Sequence, residues 1–377
     1  MKIGIVCWSS CGGSGVLATE LGYALAQSGY EIHFISAEMP FRCKELAAPN
    51  IFFHCIEKKN YPLFTNDAVY SLLLASKIVE IKKKYALDLL HVHYAMPHAI
   101  SAFLAQEMLR DTQLPLVTTL HGTDVILSEK WPAMFDVVKF SIEKSTVVTA
   151  VSNYLTKKNY NIFGDTIKVE TIYNFVDYHK FNPKEESQEV STVTYIHISN
   201  FRAIKRSVDV IECFYLIQKE VPNAMALMVG EGPLLADCQA KVEAYNLQNK
   251  VRFIGSDKDI TPLLNESDIM ILPSEVESFS LVAIEAGASE IPVLAYKVGG
   301  LVEVVSDRHS GFLFEKGDYQ AMARKGIELA KNPVLRKQIG RQARSFVKSK
   351  FSPEKIIPQY ENIYKKALAS KGSKAIS

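Results

Sequence analysis

Short, continuously apolar runs, each handing over to a helical stretch, recur along the whole chain. That alternation restricts the fold to α/β, with parallel sheets buried on both faces by helices. In the first half the runs are Lys2–Trp8, Glu31–Ser36, Ile51–Glu57, Asp88–His93, Leu116–Leu120, Thr146–Val151 and Lys168–Tyr173. Helical stretches such as Val16–Ser28 and Ala68–Tyr85 lie between them, and the first stops where Gly29 offers a left-handed cap. The polar segment Tyr178–Ser191, which has no apolar periodicity, reads as a linker. Alternation then restarts with Thr192–Ile198, Ala224–Val229, Val251–Gly255, Ile269–Leu272 and Pro292–Ala295. A length of 377 residues fits two hydrophobic cores better than one. The expected domains are therefore two doubly wound Rossmann-like units over 1–178 and 192–350. From Gly317 onward the chain is helical by composition, and a last helix over 352–369 is available to pack back onto the first unit.

Net charge is +2, too small to create a field that would attract nucleic acid or an anionic membrane, so anion binding has to be local. No apolar run approaches the roughly 18 to 20 residues of a membrane helix. Lys2–Trp8 is too short, and too interrupted by Gly4, for a secretory signal. The six cysteines lack CxxC spacing, which points to free thiols and a cytoplasmic location. No short-period repeat is present, and a homo-oligomer is compatible with the sequence.

Gly13-Ser14-Gly15-Val16-Leu17-Ala18 follows a strand, opens a helix, and is succeeded past the second strand by the acid Glu38. Glycines there let backbone N–H groups approach a phosphate. By itself this loop leaves NAD, a nucleotide sugar and a turn that binds nothing all open. "ESFSLVAIE" at 277–285 narrows the choice. If the span were wholly helical, Glu277 and Glu285 would stand about 12 Å apart, at 1.5 Å per residue, too far for a catalytic dyad. The separation suits opposite ends of an elongated ligand, one carboxylate on sugar hydroxyls and one on a ribose, with the helix start near Ser278–Leu281 facing a diphosphate. The plainer alternative for Glu285 is a solvated helix face. In "SNFRAIKR", 199–206, Arg202 and Lys205 are placed to meet phosphates.

Two imidazoles on one strand face, His91 and His93, with His98 nearby, raise the question of zinc, but no cysteine pair or H-x3-H spacing completes a ligand set. The expectation is no metal and no cofactor. An NAD-dependent oxidoreductase would account for Gly13–Ala18 but not for Arg202, Lys205, Glu277 and Glu285 together, and a nucleotide-sugar epimerase stays open.

These motifs, with Gly299-Gly300, resemble the retaining GT-B glycosyltransferases of family 4 over nearly the whole chain. "HVHYAMPHAISAFLA", "TTLHGTDV", "IYNFVD" and "HISNFRAIKR" are similar to the branch of bacillithiol biosynthesis that transfers N-acetylglucosamine from UDP-N-acetylglucosamine to L-malate. The resemblance implies two Rossmann-like domains facing across a cleft, the first on the acceptor side and the second holding the nucleotide sugar. It places Gly13 and Ser14 at the diphosphate and acceptor, and Arg202 and Lys205, with Asn200 beside them, on the leaving phosphates. Glu285 falls on the ribose, and Glu277 with the backbone of Ser278, Phe279 and Ser280 on the sugar hydroxyls. His121 and Asn174 would face the transferred sugar, and Tyr94 and Thr119 would contact the acceptor. Ser280 stands where the family usually has glycine, "EAGASEIPV" departs from the usual pattern, and so does Lys58–Tyr70.

Overall fold

The computed structural model describes residues 1–9, 12–40, 48–57, 66–110, 114–183, 192–256 and 259–370. They form two compact units, one of Met1–Asn174 with the chain from Glu354 onward, the other of Phe175–Pro353.

Unit 1 is built on seven strands, β1 (Lys2–Val6), β2 (Glu31–Ser36), β3 (Ile51–Cys55), β4 (Leu89–His93), β5 (Leu116–Leu120), β6 (Val147–Ala150) and β7 (Val169–Thr171). They run parallel in the order β3-β2-β1-β4-β5-β6-β7. Every residue of β4 and β5 is buried, which is why these runs show no polar alternation. Unit 2 repeats the plan with six parallel strands, β8 (Thr194–Ile198), β9 (Met225–Val229), β10 (Val251–Ile254), β11 (Ile269–Leu272), β12 (Val293–Tyr296) and β13 (Gly311–Phe314), in the order β10-β9-β8-β11-β12-β13. In each sheet the strand order reverses once, between β1 and β4 and between β8 and β11. Loops leaving the carboxyl ends of those strands diverge and leave a crevice.

Three elements differ from expectation. Lys2–Trp8 stays apolar past the end of β1 because Cys7 is buried and Trp8 stacks on Tyr70 at 5.3 Å and meets His98 at a tilt at 4.8 Å, contacts unrelated to strand pairing. The first helix spans Gly13–Gln27, beginning a turn before Val16, so Gly13 and Ser14 are its first residues. Finally, β13 was not expected. Its four residues begin at a glycine and carry little strand signal, but they pair with β12, and a Cβ on Gly311 would lie 2.5 Å from the Val293 carbonyl oxygen.

The helical tail divides at Ser352, whose extended backbone precedes Pro353. Helix Pro333–Phe351 stays with unit 2, whereas Pro353–Ala369 completes unit 1 by burying Ile356, Ile357, Tyr360, Ile363, Tyr364 and Ala367. Tyr364 reaches furthest, its hydroxyl 2.8 Å from Nδ1 of His91 on β4. Among the described residues no helix is long and apolar enough to cross a membrane. Cys7, Cys55, Cys213 and Cys238 form no disulfide, and all but Cys55 are buried. Cys11, Cys43 and parts of Tyr178–Ser191 and Lys58–Tyr70 lie outside the described residues.

Replacing Tyr364 with phenylalanine leaves one nitrogen of a fully buried imidazole without its partner. The expected cost is about 1–3 kcal/mol, read as a lower midpoint of unfolding for Tyr364→Phe; an unchanged midpoint would contradict this account of the helix.

Candidate active site

Unit 2 fixes its first switch-point loop from both ends. On β8 the buried His197 donates through Nδ1 to the Ile271 carbonyl of β11 at 2.8 Å, leaving Nε2 to accept from Ser199 Oγ at 2.8 Å and Ser207 Oγ at 3.1 Å. Burial lowers its pKa to about 4, so the ring is neutral at pH 7. Ser199 Oγ in turn accepts from the Phe201 N–H at 3.2 Å. At the far end Arg206 donates twice to Asp209, at 2.7 and 3.1 Å, and the Tyr296 hydroxyl donates to the same carboxylate at 2.9 Å. Between these anchors Asn200 and Arg202 are exposed. Lys205 is half-buried, its Nζ 2.5 Å from Glu277 Oε2.

The second loop, after β11, is tied to the first by the Glu275 N–H, which donates to the Ile204 carbonyl at 2.7 Å. Glu277 is further fixed through its own carbonyl, which accepts from the Gly300 N–H at 2.7 Å. The segment is not wholly helical. Glu277–Ser280 precede the helix Leu281–Ala288, so the assumption behind a 12 Å axial spacing does not hold over the full span. Ser278 is half-exposed, while Phe279 turns inward against Phe351, with ring centroids 5.5 Å apart. Glu285 is 5% exposed, which removes the solvated-face alternative for it. Ser280 adopts φ 90, ψ 90, a left-handed conformation that glycine takes more readily.

Sequence reading missed two glycines here. Gly230 and Gly232 follow β9 with φ of 121 and 154, and a Cβ on either would sit 1.9 Å from the carbonyl oxygen of Ser199 or Asn200. The Val-Gly-Glu-Gly stretch carried that signal, since paired glycines after a strand mark close backbone approach.

In unit 1 the N–H groups of Gly13 and Ser14 precede the first intrahelical bonds, which run from Gly15 and Val16 to the Gly12 carbonyl at 3.0 and 3.2 Å. Glu38 is exposed beyond β2. Across the switch point, Tyr94, Thr119 and His121 come together. The Tyr94 ring lies 5.0 Å from that of His121, and its N–H donates to the Thr119 carbonyl at 2.9 Å. Thr119 itself is fully buried, its hydroxyl bonded to His91 Nε2 at 2.7 Å and Thr149 Oγ1 at 2.8 Å, so it supports the site from beneath. Buried Asp124, which sequence reading passed over, holds both neighbouring loops: its carboxylate accepts N–H bonds from Ala95 at 3.1 Å, Gly122 at 2.9 Å and Val125 at 3.1 Å. Asn174 is buried, and its Oδ1 has no partner among the described residues.

The histidines of β4 and beyond bond one another, hydroxyls and a backbone carbonyl. His93 Nδ1 meets His121 Nε2 at 2.9 Å, and His98 bonds the His93 carbonyl and the Tyr70 hydroxyl. Among the described residues no three His, Cys, Asp or Glu side chains are arranged to hold a metal. Burial lowers His91 and His121 to about 3 and His98 to about 4.

Residues 179–346 match the family described as glycosyl transferases group 1, and residues 11–180 match glycosyltransferase family 4. N-acetyl-alpha-D-glucosaminyl L-malate synthase of Bacillus anthracis is 41% identical over 371 residues, 97% of this chain and 96% of that protein. 2-deoxystreptamine N-acetyl-D-glucosaminyltransferase of Niallia circulans is 23% identical over 302 residues, 75% of this chain and 77% of that protein. Among solved structures, Anabaena HepE in complex with UDP and glucose gives a TM-score of 0.81 at 19% identity, covering 96% of this chain and 99% of that one. Sucrose-phosphate synthase from Thermosynechococcus elongatus gives 0.78 at 20%, covering 98% and 99%. Both share the fold.

Two outcomes follow from the geometry. Ser280→Gly relieves left-handed strain and is expected to stabilise unit 2 by about 1 kcal/mol, measured by thermal unfolding. The buried imidazoles are neutral when folded, but protonate near 6.5 once unfolded. Stability is therefore fully retained above that pH and falls steadily as pH drops toward 4, where unfolding takes up protons that the folded rings refuse. A melting temperature flat from pH 7 to 4.5 would contradict it.

Proposed function

Because this chain belongs to the glycosyltransferases of family 4, built on two Rossmann-like parallel-sheet units, we propose that it transfers N-acetylglucosamine from UDP-N-acetylglucosamine to L-malate with retention at the anomeric carbon. That reaction belongs to bacillithiol biosynthesis. The observation that carries the choice of substrates is the 41% identity, over 97% of this chain, to N-acetyl-alpha-D-glucosaminyl L-malate synthase of Bacillus anthracis.

In this reading Glu285, shielded from water, takes the ribose hydroxyls. Arg202 and Lys205, with Asn200, take the phosphates. Glu277 uses Oε2 to orient the Lys205 ammonium and leaves Oε1 for the sugar hydroxyls, helped by the backbone of Ser278–Ser280. Their short ion pair supports this division, since one contact sets both groups before any ligand arrives. Gly13 and Ser14 lie at the diphosphate and acceptor, His121 and Asn174 at the transferred sugar, and Tyr94 at the acceptor, with Thr119 beneath it.

The bond between the anomeric carbon and the phosphate oxygen breaks as the malate hydroxyl oxygen bonds to the same face. The leaving phosphate takes the hydroxyl proton. Negative charge grows on UDP through this step, so fixed cations that meet it there lower the barrier more than they tighten substrate binding. No metal or cofactor is assigned a role.

The test is to incubate the protein with UDP-N-acetylglucosamine and a panel of hydroxy acids, then identify the product by mass and its anomer by NMR. An α-linked malate glycoside is expected. A β-glycoside overturns the retaining mechanism, and turnover with a different acid alone overturns malate. Lys205→Ala is expected to lower kcat by about 10² to 10³ with a smaller change in KM, as for loss of one transition-state donor; full turnover would mean that another cation meets the leaving group.

A further inference from the structure

His93 and His121 are joined ring to ring by one hydrogen bond, Nδ1 of the first to Nε2 of the second at 2.9 Å, with centroids 5.1 Å apart. His93 is completely buried, and its Nε2 has no partner among the described residues. His121 is mostly buried, and its bond to His93 is the one its ring makes among the described residues. Burial, reinforced by the surrounding imidazoles, keeps both rings neutral at pH 7.

Two neutral rings meeting nitrogen to nitrogen share one proton, and it has two possible homes. If His121 Nε2 donates, His93 must carry its own proton on Nε2, as a buried N–H with no acceptor among the described residues. Neighbouring rings offer no acceptor: His91 uses its nitrogens on Tyr364 and Thr119, and His98 uses its own on the His93 carbonyl and Tyr70. If His93 Nδ1 donates instead, only a lone pair is left unmatched at His93. Orphaned buried N–H groups are the rarer case in folded proteins. The second arrangement therefore holds, and it puts the remaining proton of His121 on Nδ1.

We propose that His93 is a positioning residue that locks His121 in the Nδ1–H tautomer, so that His121 meets an oxygen of the bound sugar nucleotide as a hydrogen-bond donor and not as a base. The inference rests on the transferase reading for its ligand but not for its tautomer. It accounts for a histidine beside the transferred sugar in a reaction whose proton goes to the leaving phosphate. With Nε2 already accepting, His121 has no lone pair to offer the acceptor hydroxyl.

The experiment is a two-bond 1H–15N correlation spectrum of protein labelled with 15N-histidine, at neutral pH and without substrate, with His121 assigned by its loss in His121→Asn. His98, whose Nδ1 must donate to a carbonyl, provides a reference for the same tautomer. An Nδ1–H pattern for His121 is expected, and an Nε2–H pattern overturns the proposal. In His93→Leu, shown to be folded by its melting curve, His121 is expected to shift toward Nε2–H. The same variant is expected to lose about a hundredfold in kcat, with UDP affinity unchanged. In His93→Asn, whose amide N–H can replace Nδ1–H, the tautomer and most of the rate are expected to return. A folded His93→Leu that keeps His121 as Nδ1–H also overturns it. Since the spectra need no sugar nucleotide, a failed transfer assay beside the expected tautomer would count against the substrates alone.

Discussion

A parallel sheet whose strand order reverses cannot send the loops of its two central strands the same way, and each unit uses that geometric necessity. Between β1 and β4, and again between β8 and β11, the carboxyl ends of adjacent strands release chains that part from one another. Nearly every residue assigned a role stands on one of those chains or at the end of a strand beside them. The core strands are apolar on both faces, so what chemistry the protein has collects where they stop.

How the loops are held differs between the units. In unit 2 the fixing groups are ionic or donate to carbonyls: Arg206 on Asp209, Lys205 on Glu277, and His197 spanning β8 and β11. The Arg206–Asp209 and Lys205–Glu277 pairs each bring opposite charges together, which lets them remain partly out of water without a large penalty. Unit 1 relies on a buried carboxylate, Asp124, and on neutral imidazoles.

Much of this was legible before any coordinates. Strand runs and the restart after the linker are strong signals because a strand buried on both faces must be continuously apolar. Glu277, Arg202 and Lys205 could be picked out from their places between a strand and a helix, and Glu285 from its place eight residues after Glu277 in an apolar helical run. Less visible were features set by tertiary contact. No local pattern pairs Lys205 with a carboxylate 72 positions later, makes Asp124 a clamp on two loops, or buries the hydroxyl of Thr119 between His91 and Thr149. Ser280 was marked as a departure, but that its backbone takes a glycine conformation emerges only from the dihedral angles. Gly230 and Gly232 were legible in principle and passed over, because their meaning lies in the Ser199 and Asn200 carbonyls pressed against them.

Unit 1 is assembled from two stretches of chain far apart in synthesis, since the helix Pro353–Ala369 supplies part of its hydrophobic interior and a hydroxyl to His91. A growing polypeptide has finished β1 to β7 and most of unit 2 before that helix leaves the ribosome. During that interval the surface that Ile356, Tyr360 and Ile363 will cover is open to water, and the imidazole awaits its tyrosine. Unit 2, being continuous, can reach its native core first, whereas unit 1 closes only once that helix is available. Its completion therefore waits on a helix made after the whole of unit 2, and not only on its own first stretch.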